Sequence, residues 1–77
     1  MSKVRVFSTE FCPYCVTLKQ YLKDSNIEFE DINVSIDKQA ADEMIQKSGQ
    51  MGVPVTEIDG QIVVGFDKEK ISKLLNL

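Results

Sequence analysis

The sequence predicts an α/β fold in which three helices cover a four-stranded mixed sheet, in the order β-α-β-α-β-β-α. Two strand-like segments are each followed by a segment with helical spacing of apolar residues, and an Asp59-Gly60 pair then separates two further strand-like segments. The first strand, helix and strand should form a right-handed parallel unit. The Asp-Gly pair indicates an antiparallel hairpin, which we place beside the first strand.

Length and charge limit the organisation and the partners. The 77 residues predict one domain, residues 1–77, with 43% hydrophobic residues for a single core. Nine basic and twelve acidic residues are interspersed, so nucleic acid is not an expected partner. No window is long and apolar enough to span a membrane, and the first five residues lack the apolar core of a signal peptide. We expect a monomeric, cytoplasmic protein that does not bind membranes.

The first strand and the first helix follow from the spacing of apolar residues. Residues 3–7 alternate between charged and apolar side chains and end fully apolar, which predicts a strand. Residues 13–24 carry Cys15, Leu18 and Leu22 at helical spacing. These three side chains should therefore face the sheet.

The second strand and helix are predicted from a change of pattern and from helix caps. Residues 28–34 read as a strand whose apolar parity switches, which favours a bulge or an edge position. Asp37 is a good N-cap for a helix that ends at about Ser48, and Gly49 can adopt the left-handed conformation that stops it. The expected inner face of this helix consists of Ala41, Met44, Ile45 and Ser48.

The C-terminal part should contain the hairpin and the last helix. Strands are predicted over residues 53–58 and 61–64, and Gly65 ends the second of them. Asp67 is the expected N-cap of the final helix. Its buried stripe should consist of Ile71, Leu74 and Leu75.

The motif Cys12-Pro13-Tyr14-Cys15 places two thiols one turn apart at the start of the first helix. Free N–H groups and the helix dipole at this end stabilise negative charge on the Cys12 sulfur. Pro13 suits the first helical position, where its missing N–H costs nothing. Cys15 lies on the same face and can attack a mixed disulfide formed on Cys12. The spacing therefore indicates a reversible dithiol/disulfide couple.

Other roles for the two cysteines agree less well with the sequence. A closed zinc site needs four ligands, and the chain has no other cysteine and no histidine. A structural disulfide would close a very short loop and constrain the unfolded chain little. Two buried, unreactive cysteines remain an alternative, although proline at the second position of a helix-opening CxxC favours a redox role.

Five segments spread along the chain match one protein family. They are Val6-Phe7-Ser8, Cys12-Pro13-Tyr14-Cys15, Glu43-Met44-Ile45-Gln46-Lys47-Ser48-Gly49, Val53-Pro54 and Gly65-Phe66-Asp67. In these segments, and over essentially its whole length, the sequence resembles a glutaredoxin in its smallest single-domain form. The resemblance implies a thioredoxin fold and thiol-disulfide exchange, with Cys12 as the nucleophile and Cys15 as the resolving thiol, supported by Pro13 and Tyr14.

The resemblance also implies a cis peptide bond at Pro54. Such a bond would turn the Val53 N–H and C=O toward Cys12, where they could pair with an extended substrate backbone as an added strand. The alternative, without the CPYC motif, would be an ordinary trans proline at the start of an edge strand.

Three expected glutathione contacts of the family are altered. Many glutathione-using members have Lys in place of Thr9, Thr in place of Gly52, and Gly-Gly in place of Val64-Gly65. We therefore expect weaker glutathione binding than in a full-pattern glutaredoxin. The resemblance still implies a groove for substrate or glutathione lined by Tyr14, Gln50, Val53, Pro54, Gly65, Phe66 and Asp67.

The sequence agrees with three functions, and glutaredoxin activity on protein or glutathione mixed disulfides is the one it favours most. In this function glutathione is a reductant or co-substrate, and no cofactor is bound. The second is a small electron donor of ribonucleotide reductase recharged by thioredoxin reductase, which Gly65-Phe66 also resembles. The third is an iron-sulfur carrier in which Cys12 of two chains ligates a cluster. Pro13-Tyr14-Cys15 favours exchange over cluster binding. Disulfide-containing or glutathionylated proteins are the expected substrates.

Residues around the motif should support the chemistry and the docking. No histidine base is present, so Cys12 is expected to be activated by the helix start and, at a distance, by Lys19 or Lys47. Phe11 and Phe66 are predicted to form an exposed apolar rim that receives partner proteins. Phe66 could alternatively pack the final helix onto the sheet.

Overall fold

The computed structural model describes residues 3–77 and contains one four-stranded sheet and three helices. Met1 and Ser2, the start of the segment considered for a signal peptide, lie outside the described residues. The strands are β1 (Val4–Ser8), β2 (Glu30–Asn33), β3 (Val55–Ile58) and β4 (Gln61–Val64). The helices are α1 (Pro13–Asp24), α2 (Lys38–Ser48) and α3 (Lys68–Leu75).

The sheet has the strand order β2-β1-β3-β4, which confirms the predicted mixed topology. β1 pairs parallel with β2, while β1 with β3 and β3 with β4 are antiparallel. The hairpin turns at Asp59 and Gly60, whose φ angles of 49° and 88° are those of a tight two-residue hairpin turn. Because β1 lies between β2 and β3, its carboxyl end is in the middle of the sheet. A short loop connects this end to the start of α1.

Two apolar cores cover the two faces of the sheet. One contains Val6 of β1 together with Leu18 and Leu22 of α1 and Ile71 of α3. The other contains Phe7, which points to the opposite face, and is closed by α2. The remaining members of this second core are Ala40, Met44 and Val55. Because neighbouring residues of β1 anchor both cores, the strand that precedes the cysteine motif is held on both sides.

The structure corrects three details of the predicted elements. β3 begins at Val55 rather than at residue 53, because Pro54 has no N–H to donate to the sheet. β2 is shorter than residues 28–34 and lies at the sheet edge, as its pattern predicted. In α2 the buried alanine is Ala40, while Ala41 is only partly buried. Within residues 3–77 no helix has the length and apolar character needed to cross a membrane.

A network of charged side chains ties α2 to the sheet. The Arg5 guanidinium donates to Glu43 and to Glu57, each at 2.8 Å, and the Lys47 ammonium donates to Glu57 at 2.6 Å. These contacts lower the pKa of Glu57, with Lys47 as the largest cause, and lower the pKa of Glu43 to about 2. The network is therefore fully charged at neutral pH.

Replacing Glu57 with glutamine should destabilise the protein in a pH-dependent way. A carboxylate with a lowered pKa in the folded state stabilises the fold above its unfolded pKa, near 4.3, and that contribution disappears as the pH falls through the folded value. We expect Glu57→Gln to cost about 1 kcal/mol at pH 7, since the network is partly screened by solvent.

Urea unfolding at several pH values measures this difference. The difference in free energy of unfolding between wild type and Glu57→Gln should decrease steadily below about pH 4.3. Glu28→Gln, which changes an exposed carboxylate before β2, is the control and should have little effect. A gap that is independent of pH would contradict the electrostatic explanation.

Candidate active site

Cys12 is the N-cap of α1, as the sequence predicted. Its sulfur accepts a hydrogen bond from the Cys15 N–H at 3.2 Å, and Pro13 occupies the first turn. Cys12 is partly exposed, whereas Cys15 is completely buried. The helix start therefore leaves one sulfur accessible and keeps the second behind it.

Burial governs the acid–base behaviour of Cys15. Removal from water is the largest cause that raises the pKa of Cys15 to about 11, and the neighbouring Cys12 sulfur acts in the same direction. A backbone hydrogen bond at Thr9 and the positive charge of Lys19 act in the opposite direction. Cys15 is therefore a protonated thiol at neutral pH, and any attack by its sulfur would require loss of that proton.

A polar cluster connects the end of β1 and the middle of β2 with α1, one turn along the helix from Cys15. The Lys19 ammonium donates to Asp31 at 3.1 Å and approaches the Ser8 hydroxyl at 3.4 Å. Ser8 is buried and donates its own hydroxyl to Asp31 at 3.0 Å. Sequence reasoning named Lys19 but missed Ser8 and Asp31. No sequence signal indicated them, because the contact depends on the parallel register in which Asp31 pairs with Val6.

Lys47, the second lysine expected to assist Cys12, has a different role. It is held by Glu43 at 2.9 Å and by Glu57 at 2.6 Å in the network of α2. That network reaches β1 through Arg5. Lys47 is therefore a structural cation, and Lys19 is the lysine whose charge acts on Cys15.

The segment before β3 lies directly against the cysteines. The Val53–Pro54 bond is cis, as the resemblance implied. The Val53 carbonyl lies 3.8 Å from the Cys12 sulfur, which can donate to it as a thiol. Pro54 is buried, and its carbonyl accepts from the Gly65 N–H at 2.8 Å. The structure thus brings Val53, Pro54 and Gly65, three predicted groove residues, next to one another.

The side chain of Gln50 is engaged with the same segment. Its Oε1 accepts from the Gly52 N–H at 2.7 Å, and its Nε2 donates to the Gly52 carbonyl at 2.9 Å. Nothing in the sequence pattern indicated this pairing, because it depends on the loop conformation. The role of Gln50 as a ligand contact stays a prediction.

Exposed apolar side chains lie on either side of Cys12 in the sequence and on the loop before β3. Phe11 is 91% exposed, and Tyr14 and Met51 are also largely exposed. Phe66 is different, because it packs against the core beside α1 and meets the Tyr21 ring edge-on at 6.0 Å between centroids. The expectation that Phe66 forms part of an exposed rim is therefore wrong. Its ring packs on α1, and it holds the start of α3 against the core.

Asp67 caps the last helix, as predicted. Its Oδ1 accepts from the Lys70 N–H at 3.2 Å, and the side chain remains exposed. Contacts of Asp67, Phe66 or Tyr14 with glutathione stay predictions. Across residues 3–77, no cluster of three or more His, Cys, Asp or Glu side chains is arranged to hold a metal ion.

Comparisons with known proteins match this geometry. A family model described as Glutaredoxin matches residues 4–63. The uncharacterized glutaredoxin-like 8.6 kDa protein in the rubredoxin operon of Clostridium pasteurianum is 49% identical over 72 residues, which are 94% of this chain and 96% of that protein. Glutaredoxin 3 of Escherichia coli strain K12 is 33% identical over 67 residues, covering 87% of this chain and 81% of its own.

A solved structure agrees on the fold. The crystal structure of the glutaredoxin from Archaeoglobus fulgidus matches with a TM-score of 0.88 and 26% identity, covering 100% of this chain and 89% of that one. The predicted thioredoxin fold is thereby confirmed. A buried and an accessible cysteine at a helix start, on this fold, make a thiol-disulfide oxidoreductase. The chain belongs to the glutaredoxin family.

Proposed function

We propose that the protein is a two-cysteine reductant of protein disulfides for which glutathione is a poor ligand. The Cys12 thiolate attacks a disulfide sulfur of the substrate, forms a mixed disulfide and releases one substrate thiol. Cys15 loses its proton and attacks the Cys12 sulfur, which closes the Cys12–Cys15 disulfide and releases the second substrate thiol. Two electrons pass to the substrate, and an external dithiol reductant must then restore both thiols.

The observation that carries this proposal is the asymmetric placement of the two sulfurs. Cys12 is accessible and accepts the Cys15 N–H at 3.2 Å, so a thiolate there gains a charge-assisted hydrogen bond from the helix start. Cys15 is fully buried behind it. The chain contains no histidine, so the hydrogen bond from the helix start is the activation that the structure offers to Cys12, while the Lys19 charge acts on Cys15.

The expected preference for protein disulfides rests on the altered contact positions. Thr9 offers no positive charge to a glutathione carboxylate, and Gly52 offers no side chain to its peptide part. Val64, on the edge strand β4, is half exposed at a position where many family members have glycine. Its side chain narrows the access of a ligand to this edge of the sheet. Each lost charge-assisted hydrogen bond weakens binding by about tenfold.

Glutathione-dependent reduction of mixed disulfides is the second candidate. Membership of the glutaredoxin family favours it, since glutathione is the substrate that the family resemblance implies. Asp67 also lies exposed at the start of α3, where helix N–H groups can receive a carboxylate.

The two candidates differ in the reductant that recharges the oxidised protein. We expect thioredoxin reductase with NADPH to reduce the Cys12–Cys15 disulfide at least about tenfold faster than glutathione does at millimolar concentration, since two contacts for glutathione are missing. The measurement is the loss of the disulfide by quenched alkylation and mass spectrometry. Faster recharging by glutathione would favour the second candidate and contradict the first.

A further inference from the structure

We propose that Gln50 is a positioning residue that sets the substrate class. Its amide pairs with the N–H and C=O of Gly52, so that a substrate docks on Val53 and on exposed apolar side chains. The substrate expected from this arrangement is a protein segment with apolar residues beside its disulfide. The inference rests on the proposed function and adds the element that provides the selectivity.

The Gln50–Gly52 clamp, by which we mean the two hydrogen bonds between these residues, is a closed ring. The side-chain amide supplies one acceptor and one donor to the N–H and C=O of the same residue, at 2.7 and 2.9 Å. Both main-chain polar groups of Gly52 are thus paired internally. An extended ligand that sought them as strand partners would first have to break the ring.

The absence of a side chain at position 52 is part of this arrangement. A Cβ atom built on Gly52 would lie 2.7 Å from the Gln50 Oε1, closer than real Cβ contacts allow. The Gly52 backbone does not have a positive φ, so backbone conformation does not demand glycine there. A side chain at position 52 would instead displace the amide of Gln50, which is the end of a flexible side chain, and would thereby open the clamp.

The clamp is anchored at the end of α2. The Ser48 hydroxyl lies 2.6 Å from the Met44 carbonyl and 3.0 Å from the Gln50 carbonyl, and can donate to either. Gly49 ends the helix in the left-handed conformation. A connected path therefore runs from α2 through Gln50 and Gly52 to Val53, whose carbonyl faces the Cys12 sulfur at 3.8 Å.

The loop that carries the clamp is uncharged and exposes an apolar side chain. Residues 48–55 contain no charged side chain. Met51, on this loop, is 78% exposed, and Phe11, which directly precedes Cys12, is also exposed. Burying apolar groups of a partner against these side chains is favourable in free energy, whereas the loop offers no counter-charge to the two carboxylates of glutathione.

Three single variants and one double variant test the clamp with two substrates, a peptide disulfide flanked by leucines and a glutathionylated peptide. Gln50→Met keeps the size of the side chain and removes both hydrogen bonds. Gln50→Glu keeps the acceptor for the Gly52 N–H and loses the donor. Gly52→Ala displaces the amide without changing Gln50. The last substitution is also made in the Gln50→Met background.

We expect Gln50→Met to raise KM for the leucine-flanked peptide by about tenfold, with kcat within about twofold of wild type, because two hydrogen bonds that order the loop are lost. The ratio of kcat/KM for the leucine-flanked peptide to kcat/KM for the glutathionylated peptide should fall by a similar factor. Gln50→Glu should be intermediate. Gly52→Ala should resemble Gln50→Met, and adding it to Gln50→Met should change KM by less than about twofold.

Two controls separate this role from a merely structural one. The alkylation rate of Cys12 should be the same in wild type and Gln50→Met, and the urea midpoint should fall only by the small amount that two exposed hydrogen bonds contribute. A wild type that prefers the glutathionylated peptide would overturn the proposed function and this inference with it. A wild type that prefers the leucine-flanked peptide, with the same preference after Gln50→Met or with additive effects of the two substitutions, would overturn the role of Gln50 alone.

Discussion

Replacing Cys12 with serine should abolish reduction of protein disulfides, with a fall of at least about a thousandfold in turnover. A serine hydroxyl is not ionised at neutral pH and is a poor nucleophile toward sulfur, so the first mixed disulfide cannot form. Cys15 cannot take over, because it is completely buried and its pKa is raised to about 11. The measurement is the steady-state reduction of a protein disulfide with a dithiol as the final reductant.

Cys15→Ser is the matched variant, and its behaviour should differ in kind. It retains the accessible Cys12, so it should attack the substrate and then accumulate as a mixed disulfide, visible as an added mass that dithiothreitol removes. Iodoacetamide should label Cys12 in this variant and should label Cys12 before Cys15 in wild type. Preferential labelling of Cys15, or trapping by the Cys12→Ser variant, would reverse the assigned roles.

Replacing Phe7 with alanine should remove most of the stability of the domain. Phe7 belongs to β1, and its side chain is fully buried beneath α2. The Arg5 guanidinium lies 5.1 Å from the centre of its ring. Truncating a buried phenylalanine costs about 3–5 kcal/mol, which is comparable to the whole stability expected of so small a domain. The cavity would also lie beside the strand that leads to the cysteines.

Urea unfolding followed by circular dichroism measures this effect. The Phe7→Ala variant should have a much lower midpoint or be partly unfolded without urea. Ile36→Ala is the control, because Ile36 is largely exposed on the turn before α2 and its truncation should change stability by less than about 0.5 kcal/mol. A Phe7→Ala midpoint equal to that of wild type would contradict the proposed importance of this core.

The features that the sequence predicted most closely depend on neighbours along the chain. Cys12, Asp37 and Asp67 cap the three helices as expected, because a cap is formed by a side chain and an N–H group two or three residues away. The Asp59-Gly60 turn is equally local, since both residues tolerate positive φ. The family resemblance added the fold and the cis bond at Pro54, which spacing alone left open.

Tertiary structure decided which of two similar residues is buried and which polar groups meet. Phe66 is partly buried while Phe11 is exposed, because Tyr21 of α1 supplies a packing surface to Phe66 alone. Likewise Ala40, rather than Ala41, faces the sheet because the seating of α2 on β1 fixes its rotation. Helical periodicity locates an apolar face only to within about one residue, since adjacent positions differ by about 100°.

The site itself combines both kinds of information. The sequence alone determined the thiol pair, the helix start beneath it and the redox class, since all three follow from the motif and from the apolar spacing of residues 13–24. The Gln50–Gly52 clamp and the contact of Lys19 with Asp31 were decided by the tertiary structure. The physical reason is that these hydrogen bonds exist only when the backbone path of a loop, or the register of a neighbouring strand, brings donor and acceptor within about 3 Å.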